Sequence, residues 1–192
     1  MYQKLLRDAR FYRLLARYDE DLAAEAQKAS CLCGGKLHSA RYPRKPRGLP
    51  DDTVVEGAYA SRHSFCCAQQ GCRRRMTPPS LRFLGRKVYV ETVVVLVSAL
   101  REGPTPTRVE TLRQWTGVSK RTIARWRRWW QETFVNSPFW RAARGQLHVP
   151  VEPQRLLSSL LDRFAVTSRR KKFLGLLVFL RPVTTAPGLH AF

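Results

Sequence analysis

The stretch GVSKRTIARWRRWW, residues 117–130, holds five lysine and arginine residues and three tryptophans in fourteen positions. It is too charged for a buried helix and too aromatic for a solvated one. At 3.6 residues per turn, Ile123, Trp126 and Trp130 share one face, which Phe134 continues. The opposite face carries Arg121, Ala124, Arg125 and Arg128. The sequence therefore predicts an amphipathic helix that buries its tryptophans and exposes its arginines, with Trp129 at the border.

The residues before this helix predict a second helix that reaches it through a short turn. Gly117 suits the turn, because glycine readily adopts the conformation that ends a helix. Ser119 is the predicted N-cap of the helix that follows. Val118 and Ile123 are expected to pack inward. This order of turn, cap and apolar residues is typical of a helix-turn-helix.

Two helices are predicted upstream of the turn. The first covers about Lys87–Arg101; its β-branched valines suit a strand equally well, but its length favours a helix. Gly103 and the following prolines end it. The second begins at Thr107, where T-R-V-E with Glu110 has the form of a capping box.

Five cysteines lie in two groups on either side of the strand-like segments KLHSARY and YASRHSFC. Cys31 and Cys33 form the first group, and Cys66, Cys67 and Cys72 form the second. Two close cysteine pairs separated by strands are typical of a zinc ribbon, in which four thiolates complete a tetrahedral structural site. The predicted ligands of a structural Zn²⁺ are Cys31, Cys33, Cys67 and Cys72.

The choice between Cys66 and Cys67 depends on the alternation of side chains along a strand, which directs the two to opposite faces. The aromatic-x-cysteine spacing from Phe65 favours Cys67 as the ligand, with Cys66 as a small packed side chain. Two alternatives stay open: His38 in place of one sulfur, and buried cysteines without metal. The glycines expected to let backbone amides point at the sulfurs are Gly34, Gly35 and Gly71.

The charge of the chain points to a polyanionic partner. Its 192 residues include 35 lysines and arginines against 14 aspartates and glutamates, a formal net charge of +21. Nucleic acid is the commonest partner of such a protein. Most of the basic residues are arginine, which suits bidentate contact with phosphate and guanine. A GC-rich genome would explain the excess of arginine over lysine, but not the shortage of acids.

The predicted fold is mainly α with a small β zinc ribbon. Residues 1–28 predict an amphipathic helix, and residues 29–85 the ribbon with a basic, proline-rich arm at 41–52. Residues 86–135 predict a unit of three helices, the last two of which form the helix-turn-helix. Residues 136–192 predict a helical tail, whose apolar side chains are expected to pack on the N-terminal helix or to meet a partner.

This order of modules resembles the N-terminal DNA-binding part of bacterial insertion-sequence transposases and their small accessory proteins. GVSKRTIARW is similar to the recognition half of their helix-turn-helix, and a zinc ribbon ending in CRRRMTPPS precedes it. The likeness covers roughly residues 29–135. It implies double-stranded DNA as a partner, and a transposase or other mobile-element protein as a second one. Arg113 departs from the pattern, which usually has a small residue there; its side chain must extend outward or the helices must separate.

In a helix-turn-helix, the N-terminal part of the second helix enters the major groove. The residues of this helix expected to contact base edges are Lys120, Arg121, Ala124 and Arg125, and Arg128 is expected to reach phosphates. Phosphate or minor-groove contacts are expected from Arg41, Arg44, Lys45 and Arg47 in the arm and from Arg73, Arg74 and Arg75 in the ribbon.

These features predict a non-catalytic, sequence-specific DNA-binding protein of a bacterial mobile element that recognises the ends of the element. An enzyme is not expected, because after residue 131 only Glu132, Glu152 and Asp162 are acidic, and two-metal phosphoryl transfer needs converging carboxylates. A transcriptional regulator, an RNA-binding zinc-ribbon protein and a scaffold subunit are the alternatives.

The expected location is the cytoplasm, in association with the nucleoid. The N-terminus has no apolar signal-peptide core, and the longest apolar run is too short to span a bilayer. No contact with a membrane is therefore expected.

Overall fold

The computed structural model describes residues 5, 8–44, 57, 59–84, 88–100, 103–145, 156–164 and 168–185. These are mainly helical, with short antiparallel strands. The helices are α1 (Ala9–Lys28), α2 (Val90–Ala99), α3 (Pro106–Thr116), α4 (Lys120–Arg128), α5 (Pro138–Arg144), α6 (Leu156–Arg163) and α7 (Arg169–Leu180). The strands are β1 (Leu37–Ser39), β2 (Tyr42–Pro43), β3 (Ser61–Arg62), β4 (Phe65–Cys67), β5 (Arg75–Met76), β6 (Phe83–Leu84) and β7 (Val88–Tyr89). None of the helices seen in these ranges has the length and apolar character needed to cross a membrane.

Three short antiparallel sheets lie between α1 and α2. The largest has the strand order β1-β4-β5, with Leu37 opposite Cys67 and Phe65 opposite Met76. The other two are the pairs β2-β3 and β6-β7. The strands predicted around the cysteines are therefore present, and the sheet brings the two cysteine groups to the same end.

The start of α3 differs from the prediction. Thr105 is the N-cap, and its Oγ1 accepts a hydrogen bond from the backbone N–H of Arg108 at 3.3 Å. Pro106 occupies the first position of the helix, where its fixed φ is favourable and its missing N–H costs nothing. The capping box expected at Thr107 and Glu110 is therefore wrong. Pro106 begins α3 rather than only separating it from α2.

The turn between α3 and α4 agrees with the sequence. Gly117 has a φ of +63°, the left-handed conformation, and its N–H bonds to the carbonyl of Arg113 at 2.9 Å. Ser119 caps α4, since its Oγ accepts from the N–H of Thr122 at 3.2 Å. The prediction of Ser119 as N-cap is confirmed. Because only three residues separate the helices, the direction of α4 is fixed by this turn.

The helix α4 continues into a π-helical segment, Trp129–Phe134. Such a segment closes i to i+5 hydrogen bonds and so widens the helix locally. Trp129 and Trp130 are both buried, and their rings meet edge to face with centroids 4.6 Å apart. The predicted helix thus extends to Phe134, but its last part is not α-helical, and Trp129 belongs to the core.

One hydrophobic core joins the N-terminal helix, the central helices and the tail. Phe11 of α1 packs on Phe173 of α7, with ring centroids 5.8 Å apart. Fully burying a side chain of this size contributes about 1.5–3 kcal/mol. The cluster runs across the division predicted at residue 136, so the tail completes the core of the central helices. Its members include Leu15, Val93, Val94, Leu96, Ile123, Trp126, Trp130, Phe134, Trp140, Leu160, Leu161, Leu176 and Leu177.

A buried polar cluster links α1 to the segment before β6. Asp19 and Arg82 are 2% and 1% exposed, and their Oδ2 and Nε atoms lie 2.8 Å apart. Arg82 also donates to the carbonyls of Tyr59 (2.7 Å) and Ser61 (3.1 Å). Asp19 accepts from the Ser80 hydroxyl at 2.5 Å. An aspartate on an amphipathic helix is usually exposed, so the helical pattern of α1 does not predict that Asp19 is buried in this cluster.

Candidate metal centre and basic helix face

Four cysteine sulfurs converge at the end of the three-stranded sheet. The Sγ atoms of Cys31 and Cys72 are 3.7 Å apart, and those of Cys33 and Cys67 are 3.5 Å apart. All four sulfurs lie within 4.8 Å of one another. These distances are too long for disulfide bonds, and the cysteines are free thiols. The four predicted residues therefore form a cluster that can hold a metal ion.

The first pair of cysteines lies on a tight loop directly after α1. The N–H of Gly34 bonds to the carbonyl of Cys31 at 2.7 Å, and the N–H of Cys31 bonds to the carbonyl of Gly35 at 3.0 Å. Gly34 has a φ of +79°, which glycine adopts without strain. A Cβ on Gly35 would lie 2.7 Å from the Sγ of Cys67. Both glycines are therefore required, one for the backbone and one for space beside the sulfurs.

The second pair is positioned by the loop between β4 and β5. The N–H groups of Cys72 and Arg73 both bond to the carbonyl of Gln69, at 3.0 and 3.1 Å. The residue with positive φ here is Arg73, at +44°. A Cβ on Gly71 would meet nothing within 4 Å, and its φ is not positive. The role predicted for Gly71 is therefore wrong, and Arg73 takes the left-handed position.

Backbone amides point at the sulfurs with a regular spacing. The amides of Gly35, Gln69 and Arg74 bond to the sulfurs of Cys33, Cys67 and Cys72, in each case two residues before them in the chain. Amide donors directed at sulfur stabilise thiolates, which are the form that binds metals. The two cysteine loops differ in length, but each directs a backbone amide at the sulfur of a cysteine two residues earlier in the chain.

The thiols perturb one another strongly. The Gly35 amide is the main cause that lowers the pKa of Cys33 to about 7, while burial raises the pKa of Cys67 to about 12. The Arg74 amide acts to lower the pKa of Cys72, but Cys33 and Cys31 outweigh it and the pKa rises. Four adjacent thiols resist losing all their protons because the resulting charges repel. A bound cation would remove that obstacle.

Cys66 and His38 lie on the other face of the sheet. They are opposite each other in the pairing of β1 with β4, whereas Leu37 is opposite Cys67. Cys66 is half-buried, and its Sγ lies 3.6 Å from the carbonyl oxygen of Arg73. The alternation argument that favoured Cys67 agrees with this arrangement. The alternative in which His38 replaces a sulfur has no support, because His38 is outside the cluster.

The basic face of α4 is exposed along its whole length. Its opposite face carries Ile123 and Trp126, which are 3% and 1% exposed. Val118 in the turn and Leu112 of α3 are buried beside them. The exposed side chains are those of Lys120, Arg121, Ala124, Arg125 and Arg128. The structure therefore separates the two kinds of residue in the opening stretch as the periodicity predicts.

A glutamate of α3 reaches both the neighbouring arginine and the start of α4. The Oε1 of Glu110 is 2.7 Å from Nη2 of Arg113, and its Oε2 is 3.3 Å from Nζ of Lys120. Arg113 thus extends outward, with 51% of its side-chain surface exposed, and leaves the helix interface clear. The spacing of Glu110 and Arg113 is visible in the sequence. The contact with Lys120 was missed, because it depends on how the two helices meet.

The other predicted basic contacts are partly described. Arg41 is exposed, and Arg44 is half-buried, with its guanidinium 4.2 Å from the ring centre of Tyr42. Lys45 and Arg47 lie outside the described residues. The ribbon residues Arg73, Arg74 and Arg75 are exposed next to the cysteine cluster.

Comparison of the chain with protein-family models, with curated proteins and with solved structures finds no match.

Proposed function

We propose that the protein is a zinc-containing, non-catalytic protein that binds double-stranded DNA in a sequence-specific manner. In this proposal α3 and α4 form a helix-turn-helix, and α4 is its recognition helix. The resemblance to insertion-sequence proteins suggests a bacterial mobile element as the setting and the ends of the element as the target. A second protein of the element would then act on the DNA that this chain recognises.

One observation carries the proposal: the division of α4 into a buried aromatic face and an exposed basic face. Ile123 and Trp126 anchor the helix in the core, and the Gly117–Ser119 turn fixes its direction. The backbone of such an anchored helix needs no further ordering when its side chains contact a base, which lowers the cost of binding. Arg121 and Arg125 lie in its first two turns, and the N-terminal part of the second helix is what enters the major groove in this motif.

The metal centre supports the zinc part of the proposal. A tetrahedral site with Zn–S bonds of about 2.3 Å has edges of about 3.8 Å. Two of the six sulfur–sulfur edges, 3.7 Å for Cys31–Cys72 and 3.5 Å for Cys33–Cys67, are close to that value, and all four sulfurs lie within 4.8 Å of one another. Four sulfur ligands favour zinc over the harder cations, which prefer oxygen. The site is structural in this proposal, because four thiolates occupy all four coordination positions of a tetrahedral zinc ion.

The test begins with selection of bound duplexes from a random DNA library. Binding of the selected duplex and of a scrambled one is then titrated at two salt concentrations. Arg121→Ala and Arg125→Ala are expected to lower affinity for the selected duplex about 5- to 150-fold, which corresponds to about 1–3 kcal/mol, with preference lost at one base position. Arg74→Ala is the matched control: affinity should fall for both duplexes alike, and the salt slope should shrink by about one.

Two outcomes contradict the proposal. If no sequence motif emerges from the selection, the protein does not read bases. If Arg121→Ala and Arg125→Ala lower affinity equally for both duplexes, α4 is an electrostatic surface and not a recognition helix. A hairpin RNA that outcompetes the selected duplex would favour the RNA-binding alternative.

A further inference from the structure

We propose that Glu110 determines specificity by restraining two cations beside the recognition helix, an inference that rests on the proposed function. Its carboxylate is 2.7 Å from Arg113 of the same helix and 3.3 Å from Lys120, the first residue of α4. One acidic side chain thus engages a cation on each of the two helices. It lies at the start of the surface that the proposal places against DNA.

The position of Glu110 is unfavourable for a protein that binds DNA only through charge. Aspartate and glutamate make up just 14 residues against 35 lysines and arginines. A carboxylate beside the first turn of α4 repels phosphate and reduces the net charge there. As a stabilising pair in the folded protein it adds little, because exposed ion pairs contribute weakly. A role in binding explains its place better than a role in stability.

The contacts extend to lower pH the range over which the carboxylate stays charged. Hydrogen bonding from Arg113, followed by that from Lys120, lowers the pKa of Glu110 to about 2. Arg113 and Lys120 nevertheless remain accessible, with 51% and 63% of their side-chain surfaces exposed. A phosphate must therefore compete with Glu110 for cations that it can otherwise reach.

This competition affects the two kinds of DNA differently. Binding to arbitrary sequence depends on the number of phosphates that cations neutralise, so restraint of two cations weakens it directly. At the preferred site, in this proposal, the base contacts of Arg121 and Arg125 fix the position of α4, and Lys120 stays on Glu110 instead of contacting a base. On arbitrary sequence α4 can shift until Arg113 and Lys120 meet phosphates, so only this binding depends on the two restrained cations. Specificity is the difference between these two affinities. Glu110 therefore widens the difference by lowering the weaker of the two.

The experiment compares Glu110→Gln with Glu132→Gln in the full-length, metal-loaded protein. Both variants remove one negative charge from the surface; Glu132 is exposed in the π-helical segment beyond α4. Glu110→Gln is expected to raise affinity for the scrambled duplex several-fold more than for the selected duplex. The slope of log affinity against log salt for the scrambled duplex should steepen by about one to two. Glu132→Gln should raise both affinities alike and leave their ratio unchanged.

A double variant tests the contact itself. If Glu110 acts through Lys120, Glu110→Gln should change the ratio less in a Lys120→Ala background than in the parent protein. Glu110→Asp retains the charge and should keep most of the discrimination. Circular dichroism of each variant checks that the helices are intact.

The outcomes separate this inference from the proposed function. A parent protein that does not distinguish the two duplexes overturns both. A parent that distinguishes them, with a ratio that Glu110→Gln leaves unchanged or shifts no more than Glu132→Gln does, overturns the role of Glu110 alone.

Discussion

Replacing Arg82 by methionine should destabilise the protein strongly, because this arginine is buried although arginine is usually a surface residue. The guanidinium is buried, and its contacts include the Asp19 carboxylate and the carbonyls of Tyr59 and Ser61. Methionine fills a similar volume but donates no hydrogen bond. Arg82→Met therefore leaves the buried Asp19 carboxylate without this ion partner and removes the hydrogen bonds that the guanidinium donates to the two carbonyls.

The expected size of the effect follows from the burial of the pair. Removing one partner of a buried ion pair costs about 3–5 kcal/mol, because the other charge stays desolvated. Asp19→Asn should cost a similar amount, since it leaves the guanidinium of Arg82 without a counter-charge. In Arg82→Met, Asp19 retains the hydrogen bonds from the Ser80 hydroxyl at 2.5 Å and from the Leu81 amide at 2.6 Å. The free energy of unfolding of a domain is typically about 5–15 kcal/mol. Each variant should therefore still fold but should unfold at a lower urea concentration than the parent.

The double variant Asp19→Asn/Arg82→Met gives the decisive measurement. When both charges are absent, neither is left uncompensated, so the loss should be smaller than the sum of the single losses by about 1–3 kcal/mol. Urea unfolding at a fixed metal concentration, followed by fluorescence of the five tryptophans, supplies the free energies. Glu20→Gln on the exposed face of α1 is the control and should stay within about 0.5 kcal/mol of the parent.

Additive single losses would refute the reasoning, because they would mean that Asp19 and Arg82 do not stabilise each other. An Arg82→Met variant as stable as the parent would refute it too.

The remaining predictions concern the metal centre and the aromatic core. Cys31→Ser should release bound zinc, whereas Cys66→Ser should retain it; elemental analysis of protein purified without chelators distinguishes the two, and metal-free parent protein would contradict the zinc assignment. Gly35→Ala should weaken zinc binding in a chelator competition, because its Cβ would lie 2.7 Å from the Sγ of Cys67; unchanged affinity would mean that the loop shifts freely. Trp126→Ala should cost about 3–5 kcal/mol in urea unfolding, since it removes a large side chain that is 1% exposed; a loss below about 1 kcal/mol would remove Trp126 from the core.

The sequence predicted those features that depend on local spacing. The two faces of α4 follow from helical periodicity, and the position of Cys67 follows from alternation along a strand. Ser119 and Gly117 act within the next few residues, so their roles were also visible. Each of these predictions uses residues close together in the chain, where geometry is fixed by the backbone.

The contacts that Asp19 and Glu110 make outside their own helices were not predicted. The partner of Asp19 is 63 positions away, and nothing in the helical pattern of α1 distinguishes this aspartate from the exposed Glu20. The contact between Glu110 and Lys120 depends on the angle at which two helices meet. The start of α3 has two candidate N-caps in the sequence, Thr105 and Thr107. Either threonine can cap a helix that begins at the next residue. The missing N–H of proline decides between them.

The π-helical segment Trp129–Phe134 makes one place in the chain tolerant of a change in length. A residue lost from α4 would rotate everything after it by about 100° and turn the tryptophans away from the core. A residue lost at Glu132 or Thr133 has a different result, because closing i to i+4 instead of i to i+5 hydrogen bonds absorbs the deletion as ordinary α-helix. Both positions are exposed. Related chains can therefore differ by one residue here while the groups on either side of the segment keep their orientation.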